Sequence, residues 1–251
     1  MSPRAVRLAL AWTLIPLAVS AGGIPRVPRG MARVTAGSFE PLYRDAGRSA
    51  VRVAAFAVDT VAVSQADFMA FVARNPKWAR GAVSPKLADP QYLSRGGEAA
   101  SRPATEVSWH AATAYCSARG ARLPTTSEWE YAARADETAR DAAAGSAFKQ
   151  RALELALGAK PGAFRLGSGL RNVWGIRDLH GGITEWTSDV NPAFGHAHHN
   201  HAGAHDASCA SGTVETGDGS DYAAFMRYAF RRNARPDMTA PNVGFRCAVS
   251  L

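Results

Sequence analysis

Five of the seven histidines in the sequence lie within ten residues, where they could bind a transition metal. They are His196, His198, His199, His201 and His205, and Cys209 follows them. Imidazole nitrogens suit copper, zinc and nickel, and a thiolate would add a softer ligand. The tract therefore predicts a copper or zinc site. A polar insertion that takes up metal adventitiously is the alternative, because a glycine- and alanine-rich loop offers little fixed geometry.

Two carboxylates around a glycine pair form a second candidate cation site. Asp178 and Glu185 flank Gly181 and Gly182. Carboxylate oxygens suit a hard cation such as calcium, and glycines let backbone carbonyls turn toward it. A turn whose acids hydrogen-bond locally is the alternative.

The amino-terminal residues 1–21 predict a secretory signal peptide. Arg4 and Arg7 lead into an apolar run of 12 residues from Leu8 to Val19, and small residues end at Ala21. That run is shorter than the ~20 residues that span a bilayer. We expect cleavage near Ala21 and an exported protein, periplasmic or secreted, with no membrane association afterwards.

Three cysteines and a basic charge constrain the mature protein further. An oxidising compartment favours pairing among Cys116, Cys209 and Cys247, and the odd count leaves one over. The formal net charge is +8, but the basic residues are scattered rather than gathered on one segment. We therefore expect no nucleic-acid partner.

Capping residues mark where the helices that position these groups begin. Ser64 and Ser108 precede helical patterns, and Thr125 with Glu128 forms a capping box. From Glu128 to about Leu157 the composition predicts one helix, broken near Gly145.

The remaining segments predict the domain plan. Residues 22–35 look like a linker, and 36–251 form one domain. Beyond Asn172 we expect loops and short strands, which gives an α+β domain with little regular structure. Within this part, five large apolar residues are expected in the core, and four arginines form a basic rim or a solvated face. They are Tyr222, Phe225, Met226, Tyr228 and Phe230, then Arg227, Arg231, Arg232 and Arg235.

Four motifs, in this order, resemble the formylglycine-generating enzyme (sulfatase-modifying factor) family over roughly residues 31–250. They are Val107-Ser108-Trp109, the run from Arg122 to Arg134, Gly181-Gly182-Ile183-Thr184-Glu185-Trp186, and Asn242-Val243-Gly244-Phe245-Arg246-Cys247. The resemblance implies a loop-rich variant of the C-type lectin fold. It also implies a disulfide between Cys116 and Cys247, with Cys209 left over. For calcium it implies side-chain oxygens from Asp178 and Glu185, and backbone oxygens from Gly181 and Ile183.

The family's copper-binding cysteine pair is missing. Counting back from the Asn242 motif, those two positions fall on Asp218 and Ala223. Neither side chain can act as a thiolate. We therefore expect no formylglycine generation by the cysteine route.

One branch of the family fits these departures. The runs 172–181, 209–212 and 221–227 resemble exported accessory proteins encoded with copper nitrite reductases (NirV-like). The resemblance implies an accessory or binding protein that helps a periplasmic metalloenzyme mature, acting on the enzyme or on a peptide segment of it. The alternatives are a family oxidoreductase acting on a peptide or small molecule, and a former formylglycine-generating enzyme that still binds sulfatase-like peptides.

Overall fold

The computed structural model describes residues 26–44, 50–95, 100–158, 164–190, 215–216 and 221–251. The predicted signal peptide, the histidine tract with Cys209, and Asp218 lie outside these ranges. Across the described ranges, every helix is too short or too polar to serve as a membrane span.

Five α-helices lie in the described residues, and three of them begin at the predicted caps. The helices are α1 (Gln65–Arg74), α2 (Trp109–Ala118), α3 (Thr126–Ala133), α4 (Ser146–Gly158) and α5 (Tyr222–Asn233). Ser64 and Ser108 each accept a hydrogen bond from the amide three residues on. Thr125 and Glu128 form the reciprocal capping box. Each cap pairs an amide that the first helical turn leaves without a partner.

The strands are short and form small sheets. They are β1 (Met31–Val34), β2 (Gly37–Phe39), β3 (Tyr43–Arg44), β4 (Val51–Val53), β5 (Phe56–Asp59), β6 (Thr184–Glu185), β7 (Glu215–Thr216), β8 (Val243–Gly244) and β9 (Ala248–Ser250). An antiparallel sheet has the order β1-β5-β9, with Met31 opposite Asp59 and Phe56 opposite Ser250. The pairs β2–β4 and β3–β7 are antiparallel, and β6–β8 is parallel. These elements confirm the predicted α+β, loop-rich fold.

Two hydrophobic clusters form the core. One packs α1 and α2 against the chain before β9, where Phe68, Tyr115 and Phe245 meet with ring centroids 5.4 to 5.9 Å apart. The other packs β5 against α3 around Phe56 and Trp129. Burial of such aromatic side chains dominates the free energy that holds short elements together.

The disulfide predicted from the family resemblance is present between Cys116 and Cys247. It joins α2 to the residue before β9 across a sequence separation of 131 residues. In the chain-entropy model, closing so long a loop stabilises the fold by roughly 4–5 kcal/mol.

The structure corrects three expectations about order along the chain. Residues 31–34, placed in the linker over 22–35, form β1 and pair with β5. The helix expected from Glu128 to Leu157 is two helices, because residues 134–145 separate α3 from α4. The part beyond Asn172 contains α5 as well as loops and short strands.

Candidate functional site

Two adjoining clefts lie where α3, α4, α5 and the 178–185 loop meet. The polar cleft has a volume of about 250 Å³, and its lining includes Glu130, Arg134, Lys149, His180, Asp221, Arg227 and Tyr228. The apolar cleft has a volume of about 210 Å³, and its lining includes Trp129, Ala156, Leu179, Ile183, Ala223, Met226 and Phe230. Ala152, His180 and Arg227 line both clefts, so they form the wall between them.

A buried carboxylate on α3 binds two arginines of α5 beside the polar cleft. Arg227 donates to both oxygens of Glu130 at 3.0 and 2.8 Å, and Arg231 donates to one of them. Arg227 and Arg231 are four residues apart, so one face of α5 presents both to Glu130. Their guanidinium carbons also lie 5.2 and 4.7 Å from the ring centroid of Trp129, within cation–π distance.

The electrostatics of this cluster are unbalanced. Burial alone would raise the pKa of Glu130, but the positive charges of Arg227 and Arg231 outweigh it and lower the pKa to about 2. Glu130 therefore stays ionised, yet it supplies one negative charge against two guanidinium groups. Nε and Nη2 of Arg231 are buried without a hydrogen-bond partner. Such unpaired donors cost stability unless another group pairs with them.

His180, in the wall between the clefts, is held as a neutral imidazole. Its Nε2 lies 2.8 Å from the carbonyl oxygen of Ala133, which can only accept, so Nε2 carries the proton. Burial, followed by the positive charge of Arg227, lowers the pKa of His180 to about 4. At neutral pH the ring leaves Nδ1 as an acceptor, and that atom is buried without a partner.

The predicted calcium carboxylates are close together along the chain, but each is already bound by protein donors. Both oxygens of Glu185 accept hydrogen bonds from Arg246, at 2.6 and 2.7 Å, and Trp129 donates a third at 2.8 Å. Asp178 accepts hydrogen bonds from the amides of Gly167 and Gly169. Burial raises the pKa of Asp178 against those two hydrogen bonds, so its environment does not favour the charged form.

Of the two predicted backbone ligands, the carbonyls of Gly181 and Ile183, that of Gly181 is already hydrogen-bonded. The carbonyl of Gly181 accepts a hydrogen bond from the amide of Ile183 at 3.0 Å. In the described part of the chain, no three histidine, cysteine, aspartate or glutamate side chains gather as metal ligands. The residues therefore do not fit a calcium ion, since a buried arginine already fills the space around Glu185 with positive charge.

The structure describes one of the two positions that correspond to the family's cysteine pair. Ala223 lies in the first turn of α5, is buried, and lines the apolar cleft. Asp218 lies outside the described residues. The copper or zinc prediction for His196, His198, His199, His201, His205 and Cys209 falls entirely outside them and stays a prediction.

The sequence interpretation was wrong about which side chains of α5 are buried. Arg231, expected on a basic rim or a solvated face, is buried against Glu130, and Arg227, expected likewise, is only 15% exposed there. Tyr222, Phe225 and Met226, expected in the core, are 51%, 44% and 37% exposed. A spacing of four between the two arginines was the available signal, but their partner lies 97 and 101 residues away in the sequence.

Comparisons with known proteins place these clefts in a family context. A family model described as "Sulfatase-modifying factor enzyme 1-like domain" matches residues 21–251. "Inactive C-alpha-formylglycine-generating enzyme 2" of Mus musculus is 33% identical over 160 residues, which is 59% of this chain and 49% of the relative. The chain thus spans about half the length of this relative.

Active and structurally characterised proteins also match. The formylglycine-generating enzyme of Bos taurus is 27% identical and covers 90% of this chain and 76% of its own length. The formylglycine-generating enzyme of Streptomyces coelicolor is 30% identical, and the match covers 75% of this chain and 65% of the relative. PvdO from Pseudomonas aeruginosa has a TM-score of 0.49 at 21% identity, covering 88% of this chain and 94% of its own. CarF has a TM-score of 0.47 at 15% identity, and the match covers 89% of this chain and 99% of CarF.

Proposed function

The chain belongs to the sulfatase-modifying factor enzyme 1-like family, and on that premise we propose that it is a binding or accessory member rather than a cysteine-dependent oxidase. The observation that carries the proposal is Ala223, which stands in the wall of the apolar cleft where the family's copper cysteine is expected. A methyl group cannot bind copper or exchange a disulfide. The described cysteines, Cys116 and Cys247, are bonded to each other.

Two features support retained binding. The two clefts remain, with one mostly apolar lining and one lined by charged residues. Concave sites that combine apolar walls with a few polar groups are where proteins bind ligands. In addition, relatives at 33% identity carry the name "inactive", which is compatible with a member of the family that has given up the oxidation.

The finer part of the proposal concerns partner and compartment. We propose an exported protein that assists maturation of a periplasmic metalloenzyme such as copper nitrite reductase by binding a peptide segment of it. The support is the Cys116–Cys247 disulfide, which oxidising compartments sustain, together with the sequence resemblance to nitrite-reductase accessory proteins. Oxidation of a peptide or small molecule through the same clefts, without the cysteine pair, is the competing function.

A peptide titration tests both parts. The wild-type chain is titrated with fluorescein-labelled peptides, one set of the cysteine-containing sulfatase type and one set tiling a copper nitrite reductase, and anisotropy is recorded. We expect saturable binding, tightest for a reductase peptide, and no loss of sulfur mass from the sulfatase-type peptide in the presence of copper and oxygen. Sulfur loss would overturn the non-oxidase assignment, and preference for the sulfatase type would overturn the accessory role.

A matched pair of variants places the binding in the clefts. Ala144 is exposed and lines the polar cleft, whereas Ala147 is equally exposed and lies outside the lining of both clefts. Ala144→Trp should obstruct the polar cleft and weaken peptide binding by at least about tenfold. Ala147→Trp should leave the affinity unchanged. Equal affinities in the two variants would mean that the peptide binds elsewhere.

A further inference from the structure

The wall between the two clefts contains a hydrogen-bond acceptor that the protein itself does not use. Nε2 of His180 donates to the Ala133 carbonyl at 2.8 Å, and this bond fixes the proton on that nitrogen. Nδ1 is then a bare lone pair. It is buried and has no partner.

An aromatic ring packs against the imidazole that carries this acceptor. Phe148, on α4, lies edge-on to the His180 ring with centroids 5.3 Å apart, and it lines the polar cleft beside His180. The same two residues border a smaller cavity of about 10 Å³. A phenylalanine side chain on a helix face can change rotamer without breaking a hydrogen bond, so movement of Phe148 is a route by which the buried Nδ1 could reach the cleft.

The charges around His180 restrict which donor suits it. The guanidinium group of Arg227 acts on the ring and is bound by Glu130, whereas Arg151 is paired with both carboxylate oxygens of Glu137. Arg227 lines both clefts beside His180, so an ammonium donor placed there would meet a group of like charge. A neutral O–H or amide N–H donates without adding charge.

Resting on the proposed binding function, we propose that His180 is the specificity residue of the clefts: its Nδ1 accepts a hydrogen bond from a neutral hydroxyl or amide donor of the bound peptide once Phe148 moves aside. The peptide reaches Nδ1 from the polar cleft, which Phe148, His180 and Ala144 line. The protein supplies no donor for this acceptor, so a ligand that supplies one relieves the cost of a buried, unpaired polar atom.

The test is a serine scan. Serine is moved one position at a time through an otherwise alanine-substituted version of the tightest-binding peptide, and each dissociation constant is measured by anisotropy. We expect one position at which serine binds about tenfold more tightly than alanine, which corresponds to about 1.4 kcal/mol. Equal affinity at every position would overturn the inference while leaving the binding function intact. Failure of every peptide to bind would overturn both.

Two conservative variants assign the effect to Nδ1. His180→Gln places an amide near the Nε2 position, so it keeps the bond to Ala133 but loses the acceptor. His180→Asn places an amide oxygen near the Nδ1 position and loses the bond to Ala133. The tenfold serine preference should vanish in the Gln variant and survive in the Asn variant, whereas the melting temperature should fall more in the Asn variant. Preference retained in the Gln variant would show that another group accepts the bond.

A third variant tests whether Phe148 limits access to Nδ1. Phe148→Ala removes the ring that packs on His180. It should increase the serine preference, because the ligand no longer has to displace the phenylalanine side chain. An unchanged preference together with an unchanged alanine-peptide affinity would show that Phe148 does not control access to His180.

Discussion

Glu185 and Glu130 are both buried carboxylates bound by arginine, but only one of the two sites is complete. Arg246 binds both oxygens of Glu185 and also donates from Nη1 and Nη2 to the carbonyls of Asp59 and Arg177. Glu130 has two arginines, and one of them keeps two buried donors without a partner. Glu185 borders the apolar cleft and Glu130 borders the polar cleft, whereas Arg231, which carries the unpaired donors, lines neither. Completeness thus separates an ion pair whose guanidinium nitrogens all have partners from one that keeps two nitrogens unpaired.

Trp129 joins the two sites, which is why they can be compared directly. Its indole nitrogen donates to Glu185 at 2.8 Å, while its ring face carries Arg227 and Arg231. The next residue in the chain is Glu130. Both sites therefore contact the same indole ring, and they differ in the number of arginines that bind the carboxylate.

Replacing one arginine by methionine at each site should change the free energy of unfolding by very different amounts. The larger change is expected at the complete pair. Arg246→Met leaves the Glu185 carboxylate buried and uncompensated, and we expect the free energy of unfolding to fall by about 3–5 kcal/mol. Urea denaturation followed by tryptophan fluorescence measures this. A loss under about 1 kcal/mol would mean that water reaches Glu185 and that the pair does not hold the core.

Acid should weaken the protein through Glu130. Its pKa lies at about 2 in the folded protein against an ordinary value of 4.5. Because the folded value is the lower one, ionised Glu130 contributes its full stability above about pH 4.5 and loses it as the pH falls toward 2. The loss is about 3 kcal/mol by linkage.

Denaturation at a series of pH values tests this, with Glu130→Gln as the control. That variant lacks the carboxyl group, so its stability should fall less steeply between pH 4.5 and 2 than that of the wild type. Parallel curves for the two proteins would show that other carboxyl groups cause the acid response.

The smallest effect is expected from Arg231→Met. Arg227 still binds both oxygens of Glu130 in this variant, and the two unpaired donors of Arg231 disappear. We expect the free energy of unfolding to change by no more than about 1 kcal/mol. The loss expected for Arg246→Met is about 3–5 kcal/mol. Similar losses in the two variants would abolish the distinction between a complete and an incomplete site.

The parts of the fold that were predictable from sequence are those set by near neighbours. Ser64, Ser108 and Thr125 cap their helices because the amide that each one pairs is three residues away. The disulfide between Cys116 and Cys247 is non-local, and it was predictable only through the resemblance to a family. The family's motifs thus indicated which cysteines pair, which the sequence of this chain alone does not show.

The candidate site was less predictable because its partners come from distant parts of the chain. The direction in which Arg227 points depends on Glu130, which is 97 residues earlier. Once both arginines face inward, helical geometry places Tyr222 and Phe225 on the outer face and Met226 at the apolar cleft, so all three stay partly exposed despite their hydrophobicity. Likewise, Glu185 reads as a calcium ligand until Arg246, 61 residues later, is found bound to it.

The position of the disulfide has a topological consequence for a chain that is cut. Cys116 and Cys247 enclose α3, α4, the 178–185 loop and α5, so these elements lie inside one covalent ring, whereas Phe39 to Leu42, which also line the polar cleft, lie outside it. A chain cut once between Val190 and Glu215 would remain a single covalent molecule, with α3 and α4 on one fragment and α5 on the other. The histidine tract lies in this interval, so a single cut there leaves the helices on either side of it covalently joined.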